Sequence, residues 1–123
     1  MSNIIYKELS YKLVGLAYAV HKTLGPGLLE SCYEGGMAVE LQQAGIPFQR
    51  QQVFPVHYKG EYIGGYIADF VVDNKIILEF KSVKILNAEM RAQIINYLKI
   101  SHIPVGYLLN FQGIKLVWER FVC

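Results

Sequence analysis

Apolar residues recur at helical spacing from about Glu8 to Leu24, where Leu9, Leu13, Leu16, Ala17, Val20 and Leu24 form one stripe and Gly25-Pro26 supplies a stop. A second helix is expected from about Leu28 to Ala44, closed by Gly45 with Pro47 just beyond. The pattern then changes period. Phe48 to Tyr58 alternates as a strand, and Tyr58-Lys59-Gly60-Glu61 turns it back towards Tyr62. Pro55 marks that strand as an edge or a bulge. Two β-rich runs, Gly65 to Val72 and Ile76 to Phe80, flank Asp73-Asn74-Lys75, whose Asp and Asn suit a tight reversal. Asn87 is placed to cap a third helix running to about Ile100, with Glu89 in its first turn. Val105 to Asn110 reads as an apolar strand, Phe111-Gln112-Gly113 as a turn and Lys115 to Val122 as a final strand. The predicted order is ααβββαββ: an α/β fold in three layers, with a mixed sheet flanked by helices, in one domain over residues 1–123.

The central hairpin carries charges where the pattern calls for apolar groups. Asp69, Glu79 and Lys81 are costly to bury unless they pair with one another or hold an ion. Alternation puts Ile77, Glu79 and Lys81 on one face of their strand and groups Asp69 with Ile67 and Val71. Register decides whether the two acids meet. A two-residue turn would set Asp69 opposite Leu78, whereas a three-residue turn pairs Val72 with Ile76 and sets Asp69 opposite Glu79. We expect the three-residue turn. Two carboxylates that meet either raise one pKa or hold a cation between them, and hard oxygen ligands favour Mg²⁺ or Mn²⁺. A lysine two residues on can stabilise a phosphate or help deprotonate a metal-bound water, which is chemistry suited to phosphodiester hydrolysis. The structural alternative is an ion pair of Lys81 with Asp69 or Glu79.

Outside the hairpin, Glu30 opens the second helix, where the macrodipole favours an acid, and Tyr33, Glu34 and Met37 follow at i+3, i+4 and i+7, a stripe that places Glu30 near the buried side. Gly35-Gly36 in the same helix costs about 1 kcal/mol per glycine relative to alanine, a cost that close packing on the sheet or the first helix would offset. Gln93 and Tyr97 stand at i and i+4, where an amide can orient a lysine or a water and a hydroxyl can reach a phosphate. His21, His57 and His102 each lack a second ligand nearby. They read as packing or surface residues.

Composition narrows the setting. Hydrophobic residues make up 53% of the chain and mean hydropathy is +0.25, high enough to suggest apolar surface that a second copy or a partner protein would cover. No apolar stretch approaches a membrane span and the N-terminus lacks the build of a signal peptide, so cytoplasm is the expected compartment. Cys32 and Cys123 offer neither a disulfide framework nor metal-ligand spacing. Net charge is +2 with the basic residues scattered, so no electrostatic footprint of a dedicated nucleic-acid binder is visible; Lys84 and Arg91 read as solvated surface.

With Glu30, Asp69, Glu79-Phe80-Lys81 and Gln93-x-x-x-Tyr97 assembled, the chain resembles the PD-(D/E)XK nuclease superfamily. It is similar in particular to the bacterial GxxExxY proteins, whose naming motif is matched by Gly27, Glu30 and Tyr33. Ala68 stands where the superfamily name has proline. The resemblance implies a restriction-endonuclease-like fold in which Asp69 and Glu79 ligate Mg²⁺ (or Mn²⁺), the Phe80 carbonyl adds a ligand and Glu30 completes the site. It also implies that Lys81 serves the hydrolytic water or the phosphate, with Gln93 and Tyr97 as the QxxxY element. The implied activity is metal-dependent hydrolysis of nucleic acid, DNA before RNA. The alternative is a non-catalytic accessory or nucleic-acid-binding module that keeps the fold and works in a complex.

Overall fold

The stripe of Leu13, Ala17 and Val20 is buried on a helix, and the other expected periodicities find their elements in the same order. The computed structural model describes residues 4–123. It contains α1 (Lys7–Leu24), α2 (Glu30–Gln43), β1 (Phe48–Tyr58), β2 (Glu61–Val72), β3 (Ile76–Lys81), α3 (Ala88–Ser101), β4 (Val105–Asn110) and β5 (Val117–Val122). The sheet runs β1-β2-β3-β4-β5, antiparallel throughout except for the parallel β3/β4 pair, which α3 connects as a crossover. The α/β, three-layer arrangement with the order ααβββαββ is therefore the observed one.

One face of the sheet is covered by α1 and α2. Leu13, Val20, Tyr33, Met37 and Leu41 pack there on Phe70, Val72, Leu78 and Phe80. The other face is covered by α3, with Leu98 against Ala68, Val71 and Ile77. Each such side chain contributes roughly 1.5–3 kcal/mol by leaving water. Gly36 lets α2 approach α1, since a Cβ there would stand 3.0 Å from Val20 Cγ1, whereas a Cβ on Gly35 would meet nothing within 4 Å. His21 is a packing residue, buried with Nε2 2.8 Å from the Gly113 carbonyl; His57 and His102 are exposed, as are both free cysteines. Arg91 is more than solvated surface. Its guanidinium holds Glu119 at 2.8 Å and ties α3 to β5. No helix among the described residues is long and apolar enough to cross a membrane.

One boundary and one face pattern depart from expectation. β5 begins at Val117, not Lys115, because β4 ends at Asn110 opposite Val117 and offers no partner further on. The larger departure is in β2. Alternation grouped Ile67, Asp69 and Val71, yet Ile67 is 53% exposed while Val71 is buried on the α3 face. Ala68 and Phe70, two residues apart, likewise pack on opposite faces. The ribbon of β1 and β2 turns over between them. Pairing runs through Arg50↔Phe70, skips Gln51 and Asp69, and resumes at Gln52↔Ala68. Gln51 takes φ 54, a left-handed conformation inside a strand, and that local reversal accounts for the change of face.

Candidate active site

The turn Asp73-Asn74-Lys75 sets the register of the central hairpin. Asp73 and Asn74 both adopt positive φ (52 and 53), which short polar side chains tolerate, and Val72 pairs with Ile76. The three-residue turn is the one present. The β2/β3 ladder then holds for Val72↔Ile76, Val71↔Ile77 and Phe70↔Leu78 and goes no further. Past Leu78, β3 continues beside β4 alone, while the earlier part of β2 stays with β1. A fork opens, and Asp69 and Glu79 stand at its apex.

Side chains replace ladder bonds at that apex. Asp69 Oδ2 accepts the Phe80 N–H at 2.8 Å, and the Asp69 N–H donates to Glu79 Oε2 at 3.0 Å. The Tyr66 hydroxyl donates to the same Oε2 at 2.9 Å. In a strand the N–H and C=O of one residue point to the same side, so Phe80 turns its carbonyl to the fork as well. Burial, then the negative charge of Asp69, pushes the Glu79 carboxyl up to about 7. Burial also raises Asp69, opposed by the Phe80 N–H and then by the charge of Lys81. Lys81 is half-buried beside them, and among the described residues it forms no direct ion pair with either acid. Its nearby charge lowers both carboxyls without neutralising the pair.

Glu30 is exposed, although its stripe pointed inward; as the first residue of α2 it lies outside the packed part of the helix, where Tyr33 and Met37 are fully buried. Its Oε2 accepts the Ser82 N–H at 3.2 Å, which ties the start of α2 to the residue after Lys81. Tyr33 explains the spacing around it. The Tyr33 hydroxyl donates to the Gly25 carbonyl at 2.6 Å and accepts from the Leu28 N–H at 3.1 Å, clamping a loop in which Gly27 needs φ 95. The Tyr33 ring stacks on Phe111, and Phe111 on Phe80, so that clamp is continuous with the strand that carries Glu79 and Lys81. Asn110, buried, holds both backbone groups of Val83 and fixes the segment that follows Lys81.

On α3, Gln93 is exposed one turn before Tyr97, whose ring stacks on Tyr66 with centroids 3.4 Å apart. Tyr97 therefore reaches Glu79 through Tyr66. Three residues of this neighbourhood carry no role in the sequence reading. Tyr66 reads as one more aromatic in a strand. Glu34, one turn beyond Glu30, is half-buried, its carboxyl raised by burial and then by Asp69. Gln51 donates from Nε2 to Glu34 Oε1 at 3.2 Å.

Among the described residues no three acidic, histidine or cysteine side chains converge closely enough to hold a metal by themselves. Asp69 and Glu79 still fit a hard divalent ion. They are like charges, Glu79 buried and Asp69 half-buried, that Lys81 influences without a direct ion pair, and the bonds above leave Oδ1 of Asp69 and Oε1 of Glu79 outside them. Mg²⁺ is commonly held by one or two carboxylates, with water and substrate oxygens filling the rest of its shell.

A model of the PD-(D/E)XK nuclease superfamily matches residues 7–121. The crystal structure of SSO0001 superposes with a TM-score of 0.60 at 19% identity, over 95% of this chain and 57% of that one. That likeness is one of fold, and this chain spans little more than half of the length of SSO0001. The crystal structure of an alkaline exonuclease (LHK-Exo) from Laribacter hongkongensis matches with a TM-score of 0.46 at 10% identity, over 99% of this chain and 72% of that one. No curated protein matches the chain.

Proposed function

The chain belongs to the PD-(D/E)XK nuclease superfamily, and from that premise we propose that it is a divalent-cation-dependent nuclease that cleaves DNA. Within the superfamily we assign it to the GxxExxY group, a reading supported by the way Gly27, Glu30 and Tyr33 join the start of α2 to the segment around Lys81. The observation that carries the activity is the fork itself, where a buried carboxylate, Glu79, and a half-buried one, Asp69, meet from separate strands beside an ammonium that forms no ion pair among the described residues.

Asp69, Glu79 and the Phe80 carbonyl would hold Mg²⁺ or Mn²⁺, with Glu30 at the rim. A cation bound there neutralises charge on the phosphodiester and makes a water nucleophilic at neutral pH. The remaining work falls to the chain. The Asp69 N–H and the Tyr66 hydroxyl fix one oxygen of Glu79 and the Phe80 N–H fixes one of Asp69, so neither acid has to reorganise on binding. The charge of Lys81, near enough to lower both acids, would stabilise the negative charge that grows on the phosphoryl oxygens. Tyr97, stacked on Tyr66, backs the hydroxyl that orients Glu79.

Cleavage of labelled single-stranded and duplex DNA and RNA with Mg²⁺ or Mn²⁺ tests the reading. Asp69→Ala and Lys81→Ala should each lower kcat by about 10²–10³ or more, the range seen when an electrostatic stabiliser is removed. Wild-type activity in both variants would sink the assignment. Cation binding without turnover on any of the four substrates would favour the accessory module instead.

A further inference from the structure

We propose that Gln51 is a positioning residue whose side-chain amide bridges Glu34 of α2 and Asp69 of β2, holding the carboxylate of Asp69 in place from across the strand pair. The inference rests on the proposed role of Asp69 as a cation ligand. Its first support is the backbone. Gln51 sits inside β1, away from either end, and yet has φ 54, a conformation that costs any residue with a Cβ and that glycine adopts freely. A glutamine there needs a reason in its side chain.

The second support is what the side chain reaches. Gln51 lies opposite Asp69, between the pairs Arg50↔Phe70 and Gln52↔Ala68, at the point where the ribbon turns over. Its Nε2 is 3.2 Å from Glu34 Oε1. An amide nitrogen carries two N–H donors, so a single group can serve two acids. Glu34 and Asp69 are near enough for their like charges to oppose each other, and a neutral double donor between them relieves that opposition without adding charge. A side-chain hydrogen bond from Gln51 opposes the rise of the Asp69 carboxyl, so with its bond to Glu34 the amide would join α2, β1 and β2.

Two substitutions separate backbone from amide. Gln51→Gly removes the amide and relieves the left-handed backbone, whereas Gln51→Met keeps the length and the strain but has no donor. Three readouts are needed: the thermal midpoint of the cation-free protein, Mn²⁺ affinity by calorimetry, and kcat and KM on the substrate that the wild type cleaves best. Gln51→Gly should melt at or above wild type and Gln51→Met at or below it, while both bind Mn²⁺ at least fivefold more weakly and lose at least tenfold in kcat with KM unchanged. Wild-type Mn²⁺ affinity in Gln51→Gly, or losses that follow the melting temperature, would overturn the proposal, as would a wild type that binds no Mn²⁺. If the wild type binds Mn²⁺ but cleaves nothing, the nuclease reading falls and the affinity comparison alone still decides the role of Gln51.

Discussion

Glu79 is 6% exposed and takes hydrogen bonds on one oxygen from Tyr66 and Asp69, yet burial and then the charge of Asp69 hold its carboxyl near 7. A carboxyl raised on folding means that the folded chain binds more protons than the unfolded one between about pH 4.5 and 7. Stability should therefore be greatest below that window and fall as pH rises through it, by roughly 3 kcal/mol from this group alone. Asp69 and Glu34, also raised, act in the same direction. Urea unfolding at pH 5 and pH 7.5 without divalent cations should show the loss, and Glu79→Gln should flatten it and be the more stable protein at the higher pH. At this scale the sequence spoke through exceptions. Asp69, Glu79 and Lys81 were visible because charge is costly in an apolar hairpin, whereas Gln51, in the polar run Gln49-Arg50-Gln51-Gln52, breaks no rule that a sequence displays.

The elements show where local rules stop. Helix α2 carries two adjacent glycines of different meaning, Gly36 against Val20 and Gly35 facing open space. Gly35→Ala should raise stability by about 0.5–1 kcal/mol through helix propensity, while Gly36→Val should lower it by about 1–3 kcal/mol through overpacking, both measured by chemical denaturation. The pair reads as one helix fault in sequence, since only the neighbouring helix distinguishes its members. Strand register behaves the same way. The central hairpin could be set by counting through Asp73-Asn74-Lys75, but counting back from Tyr58↔Glu61 and His57↔Tyr62 would bring Val56 to Ile63 and Gln51 to Ala68. A one-residue shift between Val56 and His57 pairs Val56 with Gly64 instead, and it brings Gln51 opposite Asp69. Pro55 hinted at an irregularity there without giving its size or sense.

For the whole molecule, element order and layering followed from periodicity, because each amphipathic face has one kind of surface to meet. Glu30 was harder to place. It lies on the helical stripe of Tyr33, but whether the end of a helix is covered depends on what packs beyond it, and among the described residues none buries Glu30. Repulsion left in the fork has a global readout. A cation that binds the folded chain and not the unfolded one should raise Tm with concentration, by about 2.7 kcal/mol of stability at 100 times Kd. The rise should be larger at pH 7.5 than at pH 5, where protons compete for Glu79, and a thermal melt of Glu79→Gln should show little of it.

The change of face at Gln51 and Asp69 divides β1 and β2 into lengths with separate duties. On one side Phe48, Phe70 and Val72 belong to the packing under α1 and α2; on the other, Phe54 and Tyr66 lean on α3 while Val53 and Ile67 look outward. The acids occupy the border and answer to both territories. An alteration in the outlying arm near Lys59-Gly60 therefore meets Glu79 through the Tyr66 hydroxyl and meets Asp69 at the strand reversal of Gln51, so a change made far from the acids can be felt at both.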